Sequence, residues 1–249
     1  MGGIPIQRLN IFKKGEIMSK TNKVSDVYYG GEVATYDQAR QGEKWEKEEK
    51  SFLELLGLIA PSEIIDCPIG TGRWLSSYQN KFDLDNVTIL GLDISQDMQD
   101  EAKRRAVRLN IALQTQFFDL TSDDPPQCES SQGLFVSTRF LNWVHPEDLP
   151  AVVGAFANSK SRWVICSLRY PSGSSIFESV KRLWCKYGRR KRTTFIHDLE
   201  NFIQLIAKYS YCVVHEELVE QSVATRFSYF LLEKKITGVC SEDTDGGHS

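Results

Sequence analysis

Short apolar runs alternate with amphipathic segments along most of the chain, beginning near residue 61. The apolar runs predict strands at Ile64–Cys67, Val87–Leu92, Leu113–Phe118, Leu134–Ser137 and Trp163–Leu168. Helical spacing of apolar residues predicts helices around Gly72–Asn80, Gln96–Asn110, Pro146–Asn158 and Asp198–Lys208. Strands that alternate with helices are typical of a parallel sheet covered on both faces. The pattern therefore predicts an α/β fold with a doubly wound, mostly parallel sheet.

Two further strand-like runs, Tyr211–Val219 and Phe227–Leu232, follow the last helix without a helix between them. Consecutive strands that lack a crossover connection pair antiparallel. We therefore expect a seven-stranded sheet whose last strand is antiparallel and lies towards the far end.

The ends of the chain differ from its middle. Residues 1–24 are polar and basic without periodicity, which predicts a flexible N-terminal arm. Residues 25–235 are expected to form a single domain, with N-terminal helices at 32–60 and an insert at 170–194. Residues 236–249 are acidic and contain glycine, which predicts a flexible C-terminal tail.

The composition suits one large domain, since 249 residues are 41% hydrophobic and 25% charged. A net charge of -3 argues against a surface generally coated with nucleic acid. The six cysteines are scattered without a C-x-x-C pair, so we expect no metal site and a reducing, cytoplasmic setting. No apolar run approaches the roughly 18 residues that span a bilayer, so no membrane span is expected. Codons for Lys-Gly-Glu ahead of Met18 can spell a ribosome-binding site, which favours a natural start at Met18.

A glycine-containing loop follows the first predicted strand and precedes a predicted helix. It runs from Asp66 through Pro68, Gly70, Thr71 and Gly72. Glycine lets a backbone approach a ligand closely, and a helix N-terminus offers free N–H groups and a partial positive charge. An ordinary tight turn between strand and helix is the alternative interpretation of the loop taken alone.

Two aspartates follow the next predicted strands in order. Asp93 ends the second strand, where a carboxylate accepts hydrogen bonds from the ribose hydroxyls of an adenosine ligand. Asp119 ends the third strand, where it is within reach of an adenine amine. Each aspartate alone is more often a helix cap or a loop residue. Three strand-end features in this order favour an adenosine-containing ligand.

The segment Asp66–Arg73 reads D-x-P-x-G-T-G-R, and with Asp93 and Asp119 it resembles the class I S-adenosylmethionine-dependent methyltransferases over about residues 36–233. The resemblance implies a Rossmann-like methyltransferase fold, methyl transfer, and S-adenosyl-L-methionine as the cofactor. The cofactor-binding residues that it implies are Tyr36, Arg40, Asp66, Pro68, Gly70, Thr71, Gly72, Asp93, Ile94, Asp119, Leu120 and Arg139. Pro68 departs from the commoner loop, which has glycine there, and removes one N–H from close approach. A dinucleotide fits less well, because Leu75 stands where the third glycine of that motif belongs.

The predicted N-terminal helices carry Tyr36, Arg40 and Trp45. An aromatic face suits the sulfonium of the cofactor, and an arginine suits its carboxylate. Packing of Trp45 into the core is an equally good interpretation. The mixed charges of Glu43–Lys50 are typical of a solvated helix face.

The segment after the fourth strand holds the candidates for acceptor chemistry. Phe140, Asn142 and Trp143 are predicted to bind the acceptor, and His145 is a candidate general base. A base is needed only if the attacking atom carries a proton. The alternative role of His145 is to cap a helix that begins at Pro146.

The insert concentrates positive charge. Lys181–Arg192 contains seven basic residues, including Arg189 and Arg190, and no acidic one. It predicts a rim that attracts an anionic acceptor, which is a small molecule, a sugar, a nucleotide or RNA; a solvated loop is the alternative. Besides the methyltransferase, a catalytically silent S-adenosylmethionine-binding scaffold and a non-methylating enzyme that uses this cofactor remain open.

Overall fold

The computed structural model of the chain describes residues 42–173 and 194–235. The helices are α1 (Glu43–Leu56), α2 (Leu75–Lys81), α3 (Gln96–Leu109), α4 (Leu149–Asn158) and α5 (Leu199–Lys208). The strands are β1 (Glu63–Asp66), β2 (Thr88–Asp93), β3 (Gln114–Phe117), β4 (Gly133–Ser137), β5 (Trp163–Pro171), β6 (Tyr211–Gln221) and β7 (Thr225–Lys234). The predicted arm, the tail and most of the insert lie outside the described residues.

The seven strands form one sheet in the order β3-β2-β1-β4-β5-β7-β6. Strands β1 to β5 are parallel to their neighbours, and β7 is antiparallel to both β5 and β6. The predicted α/β sheet with an antiparallel last strand is therefore confirmed. The strand order reverses between β1 and β4, so the carboxyl ends of these strands border the crevice where such sheets bind ligands.

Both faces of the sheet are covered. Neighbouring residues on one strand point to opposite faces, so Ile64 packs into one apolar cluster and Ile65 into the other. The cluster of Ile64 includes Phe52 of α1, and that of Ile65 includes Phe156 of α4. All five residues of β4 are buried, as expected of a central strand in a parallel sheet.

Two helices begin later than predicted. Helix α2 begins at Leu75, because Gly70 and Gly72 have positive φ angles of 56° and 71° and extend the turn before it. Helix α4 begins at Leu149 instead of Pro146, since the N–H of Asp148 donates to the carbonyl of His145 in a preceding turn. The alternative role of His145 as the cap of this helix is therefore wrong.

Strand β5 extends beyond its predicted end at Leu168. Pairing with β7 continues from Trp163 opposite Glu233 to Pro171 opposite Thr225. The strand therefore includes the first residues assigned to the insert, because a hydrogen-bonded partner is available there. In the described ranges, the cysteines Cys67, Cys128, Cys166 and Cys212 are free thiols. No helix in those ranges has the length and apolar character needed to cross a membrane.

Candidate active site

A cavity of about 510 Å³ opens at the carboxyl edge of the sheet. Its walls come from the β1–α2 loop, from the ends of β2, β3, β4 and β5, and from the start of β7. The predicted site residues that line it are Pro68, Gly70, Thr71, Asp93, Ile94, Asp119, Leu120, Arg139, Phe140, Asn142 and Trp143. Residues far apart in sequence therefore meet around one space at the edge where the strand order reverses.

The two glycines of the loop have different surroundings. Gly70 lines the cavity, and a Cβ built on it meets no atom within 4 Å. A Cβ on Gly72 would lie 2.8 Å from Cδ1 of Leu75 and 3.1 Å from Cα of Ala102. Gly70 thus leaves open space for a ligand, whereas Gly72 permits close packing of the loop against α3 and lies behind the cavity wall.

Asp93 connects the end of β2 to the glycine loop. Its Oδ2 accepts a hydrogen bond from the N–H of Gly70 at 2.9 Å, and its Oδ1 accepts one from the N–H of Ser95 at 2.9 Å. Burial raises the pKa of Asp93 to about 6, although these N–H groups favour the charged form. A carboxylate has about four acceptor positions, so it can hold the loop and still accept two ribose hydroxyls.

Asp66 lies behind the loop, and it is 1% exposed. Its Oδ2 accepts a hydrogen bond from the hydroxyl of Tyr78 on α2 at 2.9 Å. Burial, together with the nearby charge of Asp93, raises the pKa of Asp66 to about 7, although the hydrogen bond from Tyr78 acts in the opposite direction. The side chain joins β1 to α2, and its contact with a cofactor stays a prediction.

Asp119 lines the cavity on the other side of Asp93, after β3. Its Oδ1 accepts hydrogen bonds from the N–H of Thr121 at 2.9 Å and from the hydroxyl of Thr121 at 2.6 Å. This turn holds the carboxylate beside Phe118 and Leu120, which line the same wall. The neighbouring apolar surfaces suit a flat ring next to a hydrogen-bond acceptor.

Arg139 follows β4 with a positive φ of 57°. Its Nε and Nη2 donate to Oε1 and Oε2 of Glu48, each at 2.6 Å. Glu48 is fully buried and also accepts a hydrogen bond from the hydroxyl of Tyr229. The prediction that Glu43–Lys50 is only a solvated face is therefore wrong at Glu48, because α1 turns this carboxylate inward to pair with Arg139.

Trp45 lies one helical turn before Glu48, and it is partly buried. The guanidinium carbons of Arg139 and Arg73 lie 4.2 Å and 4.7 Å from its ring centroid. Trp45 thus contacts two cations of the protein itself. Its predicted contact with the sulfonium of the cofactor stays a prediction.

The segment after β4 forms a 3₁₀ turn at Leu141–Trp143. Asn142 accepts a hydrogen bond from the N–H of Arg169 at 3.0 Å through its side-chain oxygen. Its backbone carbonyl accepts one from the N–H of Phe195 at 2.7 Å. Asn142 therefore joins β4, β5 and the end of the insert, while Phe140 and Trp143 supply aromatic surface to the cavity.

His145 lies beside the cavity and is not one of its described lining residues. Its Nδ1 accepts a hydrogen bond from the N–H of Glu147 at 3.3 Å, and its ring packs edge-on against Phe195 with centroids 5.1 Å apart. The side chain is 37% exposed. A catalytic role for His145 stays a prediction.

Several lining residues were missed in the sequence: Arg73, Thr138, Arg169 and Thr225 all border the cavity. Arg169 follows the fifth predicted strand directly, which is the same positional signal that identified Asp93. Thr225 begins β7, and the first residue of an antiparallel strand lies at the edge where its parallel neighbours end. The predicted Tyr36, Arg40, Arg189 and Arg190 lie outside the described residues.

Residues 64–159 match the family model described as a methyltransferase domain. No curated protein matches the chain in sequence. Solved structures are similar in fold. Magnesium protoporphyrin IX methyltransferase from Synechocystis PCC 6803 with bound SAH has a TM-score of 0.63 at 12% identity, over 85% of this chain and 98% of that one. Human N-acetylserotonin methyltransferase in complex with SAM has a TM-score of 0.61 at 13% identity, over 86% of this chain and 59% of that one.

An S-adenosylmethionine-dependent methyltransferase from Clostridium acetobutylicum is also similar, with a TM-score of 0.56 at 12% identity, over 86% of this chain and 98% of that one. At this identity the likeness establishes a shared fold. Residues 64–159 therefore resemble a methyltransferase domain, and the chain shares the Rossmann-like fold of these methyltransferases.

Proposed function

We propose that this methyltransferase transfers a methyl group to a small-molecule acceptor that binds at the β4–β5 end of the cavity. The observation that carries the proposal is the cavity itself, which joins the glycine loop and two strand-end aspartates to an aromatic and basic wall. We also infer that the chain belongs to the subgroup whose loop reads D-x-P-x-G-T-G-R.

The described residues fit the cofactor. Gly70 leaves open space at the loop, Asp93 retains acceptor positions for ribose, and Asp119 lies beside apolar surface that suits adenine. When bound, S-adenosylmethionine supplies an electrophilic methyl group on a sulfonium. The protein's part is to hold the acceptor in line with that group and to exclude water.

The cavity volume of about 510 Å³ lies in the range of small-molecule sites. The names of the similar structures specify unlike acceptors, magnesium protoporphyrin IX and N-acetylserotonin. The acceptor is therefore assigned here from this chain's own lining residues. Phe140 and Trp143 suit a planar group, and nucleotide-like acceptors are included in this class.

The experiment is a thermal unfolding series with S-adenosylhomocysteine, NAD and NADP. At a concentration of 100 Kd, S-adenosylhomocysteine should stabilise the protein by about 2.7 kcal/mol, or about 5–10 °C in melting temperature. NAD and NADP should cause no shift. Stabilisation by NAD equal to that by S-adenosylhomocysteine would contradict the assignment of the cofactor.

The matched variants are Asp93→Ala, which removes the carboxylate next to Gly70, and Asp100→Ala, which removes an exposed one on α3. Asp93→Ala should weaken the binding of S-adenosylhomocysteine by tenfold or more, since each hydrogen bond to a charged group contributes roughly 1.5–3 kcal/mol. Asp100→Ala should bind as the wild type does. Equal affinities in the two folded variants would exclude Asp93 from the cofactor site.

The silent scaffold is less favoured, because it needs no aromatic acceptor wall, whereas the non-methylating enzyme is less favoured because residues 64–159 match a methyltransferase domain. Mass spectrometry of the purified protein distinguishes them. Co-purified S-adenosylhomocysteine indicates methyl transfer, whereas intact S-adenosylmethionine alone would favour the scaffold.

A further inference from the structure

Three arginines form one wall of the cavity. Arg73, Arg139 and Arg169 all line it, and we refer to them as the basic wall. Their side chains are 21%, 25% and 24% exposed, so each guanidinium is largely removed from bulk water but still reaches the open space. Arg139 and Arg169 come from β4 and β5, on the other side of β1 from the strands that carry Asp93 and Asp119.

The three guanidiniums are held in a row by shared partners. Nη1 of Arg73 lies 3.7 Å from Oε1 of Glu48, and Nη2 of Arg139 lies 2.6 Å from Oε2 of the same carboxylate. Nη2 of Arg139 lies 3.6 Å from Oε1 of Glu220, and Nη2 of Arg169 lies 3.1 Å from its Oε2. Arg139 and Arg169 also both lie over the ring of Phe227, each with its guanidinium carbon 5.1 Å from the ring centroid.

The described carboxylates do not balance the cations of this cluster. The cations are the basic wall and Lys44, which pairs with Glu220 at 2.9 Å, and the carboxylates are Glu48 and Glu220. Partial burial would raise the pKa of Glu220, but Lys44 and Arg169 hold it below the ordinary value, so this carboxylate is charged. Because the side chain of Lys44 is 50% exposed, water solvates its charge, and the three arginines outnumber their described carboxylate partners by one. An unpaired charge is costly where little water is present.

S-adenosylmethionine as a whole supplies no net negative charge. S-adenosylmethionine has one carboxylate against an ammonium and a sulfonium, so it adds net positive charge to the cavity. Positive charge along an open cavity attracts anions, so the basic wall favours an anionic group on the second ligand.

Arg169 is the member of the basic wall best placed for that ligand. It lies at the end of β5, two strands from β1 and its glycine loop, which is about 10 Å across the sheet. Its Nη1 donates to the hydroxyl of Thr225 at 3.2 Å, and its backbone N–H is fixed by Asn142. The guanidinium is thus rigidly presented next to the aromatic lining residues of the acceptor end.

We infer that the acceptor is a planar small molecule with a carboxylate or phosphate group, and that Arg169 binds this anionic group in the cavity. The inference rests on the proposed function and specifies its substrate class. Arginine suits both anions because its planar fork donates two parallel hydrogen bonds to either. Phe140 and Trp143 contact the flat part of the molecule.

The test measures binding of benzoate, phenyl phosphate and neutral benzamide to the protein loaded with S-adenosylhomocysteine. Benzoate or phenyl phosphate should bind at least tenfold more tightly than benzamide, and the tighter of the two identifies the anionic group. Arg169→Gln should weaken the binding of that anion by roughly tenfold or more. Arg169→Lys, which keeps the charge without the fork, should give a smaller loss.

The matched control is Arg162→Gln. Arg162 lies just before β5, pairs with Glu233 and stacks on Trp163, outside the cavity lining. This variant should bind the anion as the wild type does. If Arg169→Gln fails to bind S-adenosylhomocysteine, anion binding by the wild type is compared with that by Arg169→Lys instead.

The possible failures are distinguishable. A wild type that binds S-adenosylhomocysteine but prefers neither anion to benzamide overturns the inference and leaves the proposed function standing. Equal anion binding by the wild type and the deciding Arg169 variant also overturns it. A wild type without affinity for S-adenosylhomocysteine overturns the proposed function itself.

Discussion

Asp93 performs two tasks with one carboxylate. It holds the glycine loop through the N–H of Gly70 and presents its remaining acceptor positions to the cavity. Burial makes its ionisation costly, so its pKa rises to about 6. A group with this pKa changes charge within the range of ordinary buffers, and its contribution to ligand binding should change with it.

Affinity for S-adenosylhomocysteine should therefore depend on pH. Ribose hydroxyls donate to the ionised form, so protonation removes the better acceptor. With a pKa of about 6, affinity should be level above pH 7 and about tenfold weaker at pH 5, since only about one molecule in ten is then ionised. Calorimetric titrations across this range measure the profile.

Asp93→Asn is the control for this profile, because an amide does not titrate. The variant should bind weakly at every pH, and any slope that remains reports Asp66, whose pKa of about 7 lies nearby. A wild-type affinity that is the same at pH 5 and pH 7 would contradict the role of Asp93.

At the scale of elements, α1 does more than cover the sheet. Phe52, Leu55 and Leu56 supply its apolar face, while Glu48 carries a charge into the interior. There it meets Arg139 from the β4 end and Tyr229 from β7. One carboxylate thus connects three elements behind the basic wall.

Removal of this carboxylate should destabilise the protein strongly. Glu48→Gln leaves the guanidinium of Arg139 without its bidentate partner, and breaking a buried ion pair costs about 3–5 kcal/mol. The exposed Glu46→Gln on the same helix should change stability by less than about 0.5 kcal/mol. Urea unfolding without cofactor measures both.

Similar free energies of unfolding for these two variants would show that Glu48 is not a stabilising contact. Tyr229→Phe, which removes only the hydroxyl that bonds Glu48, provides a milder version of the same test. Tyr229→Phe should lower the free energy of unfolding by less than Glu48→Gln does, because Arg139 keeps its charged partner.

At the scale of the whole molecule, acidic and basic residues occupy different parts of the carboxyl edge of the sheet. Asp93 ends β2 and Asp119 follows β3, whereas Arg139 follows β4 and Arg169 lies near the end of β5. The insert begins after β5, so its predicted basic stretch adjoins the basic end in sequence. At the described ends of the insert, the N–H of Ser172 donates to the carbonyl of Ala224 at 3.1 Å, and Thr194 lines the cavity.

A quadruple substitution of Arg189, Arg190, Lys191 and Arg192 to Ser tests whether the insert attracts anions. Affinity for S-adenosylhomocysteine should not change, because the proposed contacts lie on other loops. Binding of phenyl phosphate should weaken, and its dependence on ionic strength should flatten, since fewer charges attract the ligand. Titration at low and high salt measures this, and a salt dependence equal to that of the wild type would favour the solvated loop.

The local sequence pattern was sufficient to predict the sheet and about half of the residues that line the cavity. Apolar runs identified the strands, and helical spacing identified the four helices predicted after the first strand, because burial of each element selects apolar residues at the spacing of that element. Asp93, Asp119 and the loop glycines were recognisable, because a strand end in a parallel sheet is a position that can be read along the chain. Helix starts at Gly72 and Pro146 were early, since turn residues and first helical turns have similar composition.

What the sequence by itself determined was therefore the α/β fold class and the end of the cavity that suits the cofactor. The tertiary structure alone decided which charged residues turn inward and which meet. Glu48 sits in a run of mixed charges, and only the packing of α1 against β4 and β7 distinguishes it from its solvated neighbours. Arg73, Arg139 and Arg169 become one wall because three separate chain segments end at the same edge of the sheet. Excess charge in a cavity is a property of the assembled fold, because it depends on distances between residues that the order of the chain does not contain.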